Sequence, residues 1–281
     1  MKLHFSAEFF PPQTENGDVR LKTEREVLRA CSPDCFSVTY GAGGSTRGRT
    51  FSVVKEIVHE KTPVMPHLSC IGAQKESLLS LLNAYKDLNI TRIMALRGDL
   101  PSTMSSENGH FRHAVDLVHF IREHFGEHFA ISVAAYPEYH PQASSPDEDL
   151  NHFAKKIQAG AHNAVTQYFF NADSYFHFVE NAQKKGIHAP IIPGIMPIVS
   201  FEKLARFSDS CGAEIPRWIR LKLEHYHNDF DSIRAFGLDV VSLLCRRLLE
   251  NGAPGLHFYT MNQSSIVVEI LKRLQSIGFD I

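Results

Sequence analysis

Short apolar runs rich in β-branched and aromatic residues recur along the chain, each followed by a longer stretch whose apolar positions return every three or four residues. Eight runs read as strands, over residues 4–10, 36–41, 64–70, 92–98, 130–137, 164–170, 191–197 and 256–262. The spacing between them predicts helices over 55–61, 75–88, 114–125, 150–159, 174–185, 204–210 and 233–249. Gly160 and Gly186 fall where a helix must stop and turn back into the next strand. Repeated βα units mean an α/β fold, and eight of them close into an eight-stranded parallel βα (TIM) barrel. An open doubly wound sheet would need a glycine-rich dinucleotide turn after its first strand. That position holds Glu8-Phe9-Phe10-Pro11-Pro12 instead. No linker or low-complexity tract divides the chain, so residues 1–281 read as a single catalytic barrel domain. The segment 101–109, rich in Ser and Asn, follows the fourth strand and is placed to act as a mobile lid.

Composition narrows the choice of partner. Lys plus Arg is 29 against 31 Asp plus Glu, a formal net charge of -2, so no overall positive field exists to hold nucleic acid. Five cysteines without a regular framework suit reduced thiols in the cytoplasm. Cys31 and Cys35 lack a second pair, and His124 and His128 lack a third ligand on a nearby strand end, so no metal is expected. No apolar run reaches the roughly 18 residues of a membrane span, and the amino terminus carries no signal or transit pattern.

In such barrels, chemistry sits at the carboxyl ends of the strands. Polar residues gather there from nearly every strand: Glu8; Thr39-Tyr40-Gly41; His67; Arg97-Gly98-Asp99; Tyr136 and His140; Gln167; and Tyr259-Thr260-Met261-Asn262. Glu8 stands in an otherwise apolar strand, where burial would raise its pKa as a general acid requires; pairing with a barrel lysine or arginine for structure is the other reading. The stretch Gly41-Ala42-Gly43-Gly44-Ser45-Thr46 has the glycines of a phosphate cradle but not the lysine of a P-loop.

Taken in order, several segments resemble those of bacterial methylenetetrahydrofolate reductases: Ala7-Glu8-Phe9-Phe10-Pro11-Pro12, Ser37-Val38-Thr39-Tyr40-Gly41-Ala42, Pro66-His67-Leu68-Ser69-Cys70 and Ala95-Leu96-Arg97-Gly98-Asp99-Leu100-Pro101. Ala134-Ala135-Tyr136-Pro137-Glu138, Thr166-Gln167, Pro193-Gly194-Ile195 and His257-Phe258-Tyr259-Thr260 with Asn262 continue the series. The resemblance implies a barrel that binds FAD at its carboxyl rim and reduces 5,10-methylenetetrahydrofolate to 5-methyltetrahydrofolate for methionine synthesis. Nicotinamide and folate would use one flavin face in turn, giving ping-pong kinetics, with NADH favoured over NADPH and a homo-oligomeric assembly. It makes Glu8 the general acid at folate N10 and Asp99 the carboxylate that stabilises the resulting cation. It places Thr39, Tyr40, Ala42, His67, Arg97, Gly98, Asp99, Tyr136, His140, Ala143, Asp149, His152, Lys155 and Lys156 on the flavin, and Gln167, Lys203, Phe207 and Gln263 on the folate.

The match is not uniform. His152 stands where Asn is common, Lys203 where Gln is expected and Gln263 where Arg is expected. The resemblance also implies no carboxyl-terminal regulatory domain and no inhibition by S-adenosylmethionine. Another flavin barrel of the proline dehydrogenase kind, a flavin-free folate barrel and a degenerate scaffold are the competing readings. The first lacks its arginine pair here, and the others would forfeit the shared rim residues. If Gln263 is a lost cation for the folate carboxylates, Gln263→Arg lowers the folate KM modestly in steady-state assays; an unchanged KM removes Gln263 from the substrate contacts.

Overall fold

The computed structural model describes residues 2–41, 47–99 and 110–280. Residues 42–46 of the possible phosphate cradle, Ala42 among them, and the proposed lid at 101–109 lie outside the described residues. The strands are β1 (Phe5–Phe9), β2 (Cys35–Val38), β3 (Val64–Ser69), β4 (Arg92–Leu96), β5 (Ala130–Ala135), β6 (Asn163–Thr166), β7 (Ile191–Ile192), β8 (Gly194–Ile195) and β9 (Leu256–Tyr259). The helices are α1 (Glu15–Arg29), α2 (Arg47–His59), α3 (Lys75–Asp87), α4 (Ala114–Phe125), α5 (Pro146–Gln158), α6 (Ala172–Lys184), α7 (Phe201–Cys211), α8 (Arg217–Tyr226), α9 (Phe230–Glu250) and α10 (Ser264–Ser276). All strand pairs are parallel, in the order β7-β6-β5-β4-β3-β2-β1-β9-β8.

Nine segments replace the eight strands expected because one strand position is broken in two. Ile191 and Ile192 pair with Ala164 and Val165 of β6, whereas Gly194 and Ile195 pair with His257 and Phe258 of β9. Pro193 lies between them. It has no N–H to give to a ladder, but its carbonyl accepts from His257 N at 3.0 Å. The two halves together bridge β6 to β9, and the parallel ring closes as the alternating pattern predicts.

Strand alternation then sorts the side chains. Ala7, Phe9, Phe36, Val38, Leu68, Ile93, Ile131, Val133 and Phe258 belong to the large core between the strands and the surrounding helices. Cys35, Met65, Met94 and Val165, with Leu96 and Ile192 against them, form a separate small cluster that fills the barrel interior. The same alternation sends Ser6, Glu8, His67 and His257 inward with that smaller set. Gly160 and Gly186 end their helices with φ of 111° and 78°, as their positions suggested.

Helices α1, α8 and α10 are additions to the sequence-based expectation, and α2 begins well before residue 55. In α1 a charge occupies a core position: Arg25 is buried beside Leu21 and Leu28, which conceals the apolar period. Its guanidinium Nη2 lies 2.8 Å from Glu56 Oε2 of α2 and 2.8 Å from Glu60 Oε1. In α8 the buried residues are Ile219 and Leu223, too few to stand out as a stripe.

Closure is tight at β8. A Cβ on Gly194 would sit 2.2 Å from the Thr166 carbonyl oxygen and 2.6 Å from Tyr259 Cε2. Neither the backbone of β6 nor the half-buried ring, tied by its hydroxyl to Thr166, can yield cheaply. Gly194→Ala is therefore expected to destabilise the barrel by about 3 kcal/mol or more, read as a lower midpoint in urea unfolding. A midpoint within error of the parent would mean that the ring opens here without cost.

Candidate active site

Glu8 enters the barrel interior from β1, in register with Ser37 of β2 on one side and Tyr259 of β9 on the other. Two imidazoles meet its carboxylate. His67 Nε2 from β3 is 3.3 Å from Glu8 Oε2, and His257 Nε2 from β9 is 3.5 Å from the same oxygen. His257 is fully buried, and its Nδ1 lies 2.7 Å from Ser6 Oγ. Burial alone pushes the Glu8 carboxyl up, but the imidazoles, His67 first and then His257, outweigh it and hold the carboxyl below its ordinary value. The pKa expected to be raised is thus lowered in the free protein, and the partners are histidines rather than a lysine or arginine. Burial pushes the His67 imidazole down despite the nearby carboxylate. Among the described residues no group of three ligating side chains is arranged to hold a metal ion.

The turn after β9 fixes the carboxyl end of β1. Thr260 Oγ1 donates to the Glu8 carbonyl at 2.6 Å. Asn262 grips Phe10 twice, accepting from its N–H at 3.0 Å and donating to its carbonyl at 2.9 Å. Met261 and Asn262 adopt left-handed φ values of 52° and 54°, which turn the chain back over β1. Tyr259 crosses beneath Gly194 and donates its hydroxyl to the Thr166 carbonyl at 2.7 Å. Burial, then the Glu8 charge, push this phenol far above its ordinary value.

Beside the interior cluster opens a cavity of about 1250 Å³, including its mouth to solvent. Tyr40, Arg97, Gly98, Asp99, Tyr136, His140, Ala143, Asp149, His152 and Lys156 line it together. Helix α5 explains part of this convergence: Ser145 caps its amino end, Pro146 opens its first turn, and positions 149, 152 and 156 share one face. Lys155 is exposed on another face and does not reach the cavity. Thr39 lies just past β2, its carbonyl accepting from Thr50 Oγ1, and is not part of the lining. His67 faces Glu8 in the interior rather than this cavity.

The charges in the cavity are interlocked. Arg97 Nη2 donates to Gln142 Oε1 at 2.6 Å. His140 Nδ1 accepts from Gln142 N at 3.1 Å, which leaves the His140 proton on Nε2 when the ring is neutral. Asp149 accepts from His140 N at 3.1 Å; burial pushes this carboxyl up, against the pull of Lys156. Lys156 Nζ donates to the Ala134 carbonyl at 2.6 Å, and burial lowers its pKa to about 8. Burial, reinforced by Asp149, pushes the Tyr136 phenol up to about 12. Gly98 has φ of 84°, and a Cβ there would meet Ser69 Cβ at 2.8 Å, so the link between Arg97 and Asp99 needs glycine.

A second cavity, of about 1130 Å³, lies at the other side of the rim between α7 and the turn after β9. It gathers Lys203, Phe207 and Gln263 with Phe10, Ser200, Met261 and Arg206. Gln167 is in neither lining; its side-chain carbonyl accepts from Tyr168 N at 3.0 Å, just past β6. Arg206 escaped the sequence reading although it stands one helical step from Lys203. Ser69, two residues beyond His67 on the same strand face, was equally legible, whereas Gln142 and His113 carried no local signal.

The family model described as methylenetetrahydrofolate reductase matches residues 1–275. The chain is 38% identical over 271 residues to a 5,10-methylenetetrahydrofolate reductase of Buchnera aphidicola, covering 96% of this chain and 91% of that one. It is 37% identical over 275 residues to the enzyme of the same name from Salmonella typhimurium, covering 97% and 91%. Among solved structures it is similar to an uncharacterised Clostridium thermocellum protein that binds two copies of 5-methyl-5,6,7,8-tetrahydrofolic acid. There the TM-score is 0.67 at 14% identity, over 98% of this chain and 95% of that one, a likeness of fold. With the family model spanning nearly its whole length, the chain belongs to the methylenetetrahydrofolate reductase family and is an oxidoreductase.

Proposed function

We propose that the chain reduces 5,10-methylenetetrahydrofolate to 5-methyltetrahydrofolate with FAD as bound cofactor and NADH as hydride donor. The observation that carries this reading is the adjacency of three parts: a buried carboxylate at the barrel mouth, a long polar and aromatic cavity on one side, and an apolar and cationic cavity on the other. The first cavity suits FAD in chemistry. Tyr40 and Tyr136 offer aromatic surface, while Arg97 and Lys156 offer cations to a diphosphate. Held by Tyr40, Arg97, Tyr136 and Lys156, FAD would supply the hydride-transfer chemistry between nicotinamide and folate.

The chain's own residues do the rest. Glu8 gives a proton to folate N10, which opens the five-membered ring to a 5-iminium cation. Its lowered pKa in the free protein is compatible with this role, because folate over the barrel mouth strips water from the carboxyl and favours its neutral form. Asp99, at the cavity edge beside Gly98, keeps negative charge near the developing cation. Phe207 stacks on the folate rings, and Gln167 turns from Tyr168 N to hydrogen-bond the ligand. Lys203, Arg206 and Gln263 meet the carboxylate tail, so Arg206, one helical turn from Lys203, supplies the cation missing at 263.

An absorbance spectrum with anaerobic additions tests the reading. A flavin band that bleaches with NADH and returns with methylenetetrahydrofolate is expected; no band after adding FAD would overturn the cofactor assignment. Flavin affinity should also depend on pH through Lys156. The protonated amine attracts the diphosphate and is lost as pH rises through about 8, so the flavin Kd rises by about tenfold between pH 7 and 9. In Lys156→Gln that slope should flatten, as followed by fluorescence quenching; a parent-like slope in the variant would assign the titration elsewhere.

A further inference from the structure

Strand register places Ser6 directly opposite His257, and Glu8 opposite Tyr259, so all four stand on neighbouring strands at the interior face. The string runs Ser6 Oγ to His257 Nδ1 at 2.7 Å, then His257 Nε2 to Glu8 Oε2 at 3.5 Å. An imidazole that met a carboxylate with a bare nitrogen would repel it, so the stable arrangement has Nε2 protonated. Nδ1 is then an acceptor, and the Ser6 hydroxyl is the donor that fills it.

We infer that His257, its tautomer set by Ser6, is a positioning residue that aims an N–H at Glu8 and thereby governs when this carboxyl takes up a proton. The inference deepens the proposed function, in which Glu8 is the acid. The titratable groups facing Glu8 among the described residues are His67 from β3 and His257 and Tyr259 from β9; β2 presents the Ser37 hydroxyl. The two histidines are not equivalent. His67 Nε2 makes no well-directed hydrogen bond although buried, whereas His257 is tied at both nitrogens. Directionality therefore resides in His257, and His67 acts on the carboxylate chiefly through its field.

The test reads Glu8 without any substrate. Difference infrared titration of the FAD-loaded protein follows the carboxylic-acid band that disappears in Glu8→Gln. In His257→Leu the donor is gone and burial is unopposed from that side, so the Glu8 midpoint should move up by about one pH unit or more. His257→Gln, which can still offer an N–H, should stay closer to the parent, and Ser6→Ala should shift the midpoint upward by less than His257→Leu. Should His257→Leu fail to fold, Ser6→Ala decides the matter, with His257→Gln as the control that keeps an N–H. A midpoint unchanged in His257→Leu, or in Ser6→Ala where His257→Leu does not fold, overturns the inference and leaves His257 a packing residue.

Stopped-flow measurement then separates this from the reading it rests on. The alkaline limb of the folate half-reaction should rise in step with the infrared midpoint, while flavin reduction by NADH keeps its parental rate. If Glu8→Gln retains the folate half-reaction, the acid role of Glu8 fails. If Glu8→Gln loses it but the variants keep the parental limb, the positioning role of His257 fails alone.

Discussion

The site depends first on how the ring closes. A parallel barrel needs each strand to satisfy two neighbours, and between β6 and β9 that task falls to five residues, 191–195, with Pro193 at their centre. A proline would be a fault in a continuous ladder, but here it marks the point where the strand leaves one neighbour and joins the other. Gly194 then allows Tyr259 to lie against the strand and reach the Thr166 carbonyl. On its other edge β9 pairs with β1, which brings Thr260 and His257 to Glu8.

Closure also explains how a carboxylate is held in a buried place. The deeper interior is filled by Cys35, Met65, Met94 and Val165, which offer no charge to balance Glu8. Compensation comes from the next layer up, where two imidazoles approach one oxygen. An ionised group with such partners is less costly than an isolated one and can still gain a proton when its surroundings change. The lateral placement of the two cavities follows from the same layout. Strands β4 and β5 with α5 build one, and the ends of β8 and β9 with α7 build the other.

Much of this was legible in the sequence because barrels impose simple rules. Alternating strands gave the ring, and polar residues at strand ends gave the rim. What escaped notice did so for physical reasons. Arg25 disguised α1, since a buried guanidinium paired with Glu56 and Glu60 occupies a core position that an apolar residue would advertise. The break at Pro193 is visible only when strand partners are known. Lys155 and Lys156 are neighbours in sequence, yet a turn of about 100° per residue in a helix puts one in the cavity and the other in solvent. The direction of the Glu8 shift could not be read from its own strand, because the groups that reverse it arrive from β3 and β9.

The contact between Glu8 and His257 joins residues 249 positions apart. Such a contact carries a high closure entropy and forms only after the intervening chain has found its order. During synthesis, the carboxylate emerges early and His67 soon after it, but His257 arrives only once almost the entire polypeptide has been made. Until then, Glu8 lacks one of its two imidazoles and stands on a strand with one open edge. Competence therefore arises at the last step of assembly rather than gradually, and a chain halted short of β9 holds nearly all of the rim residues while lacking the environment that defines the acid.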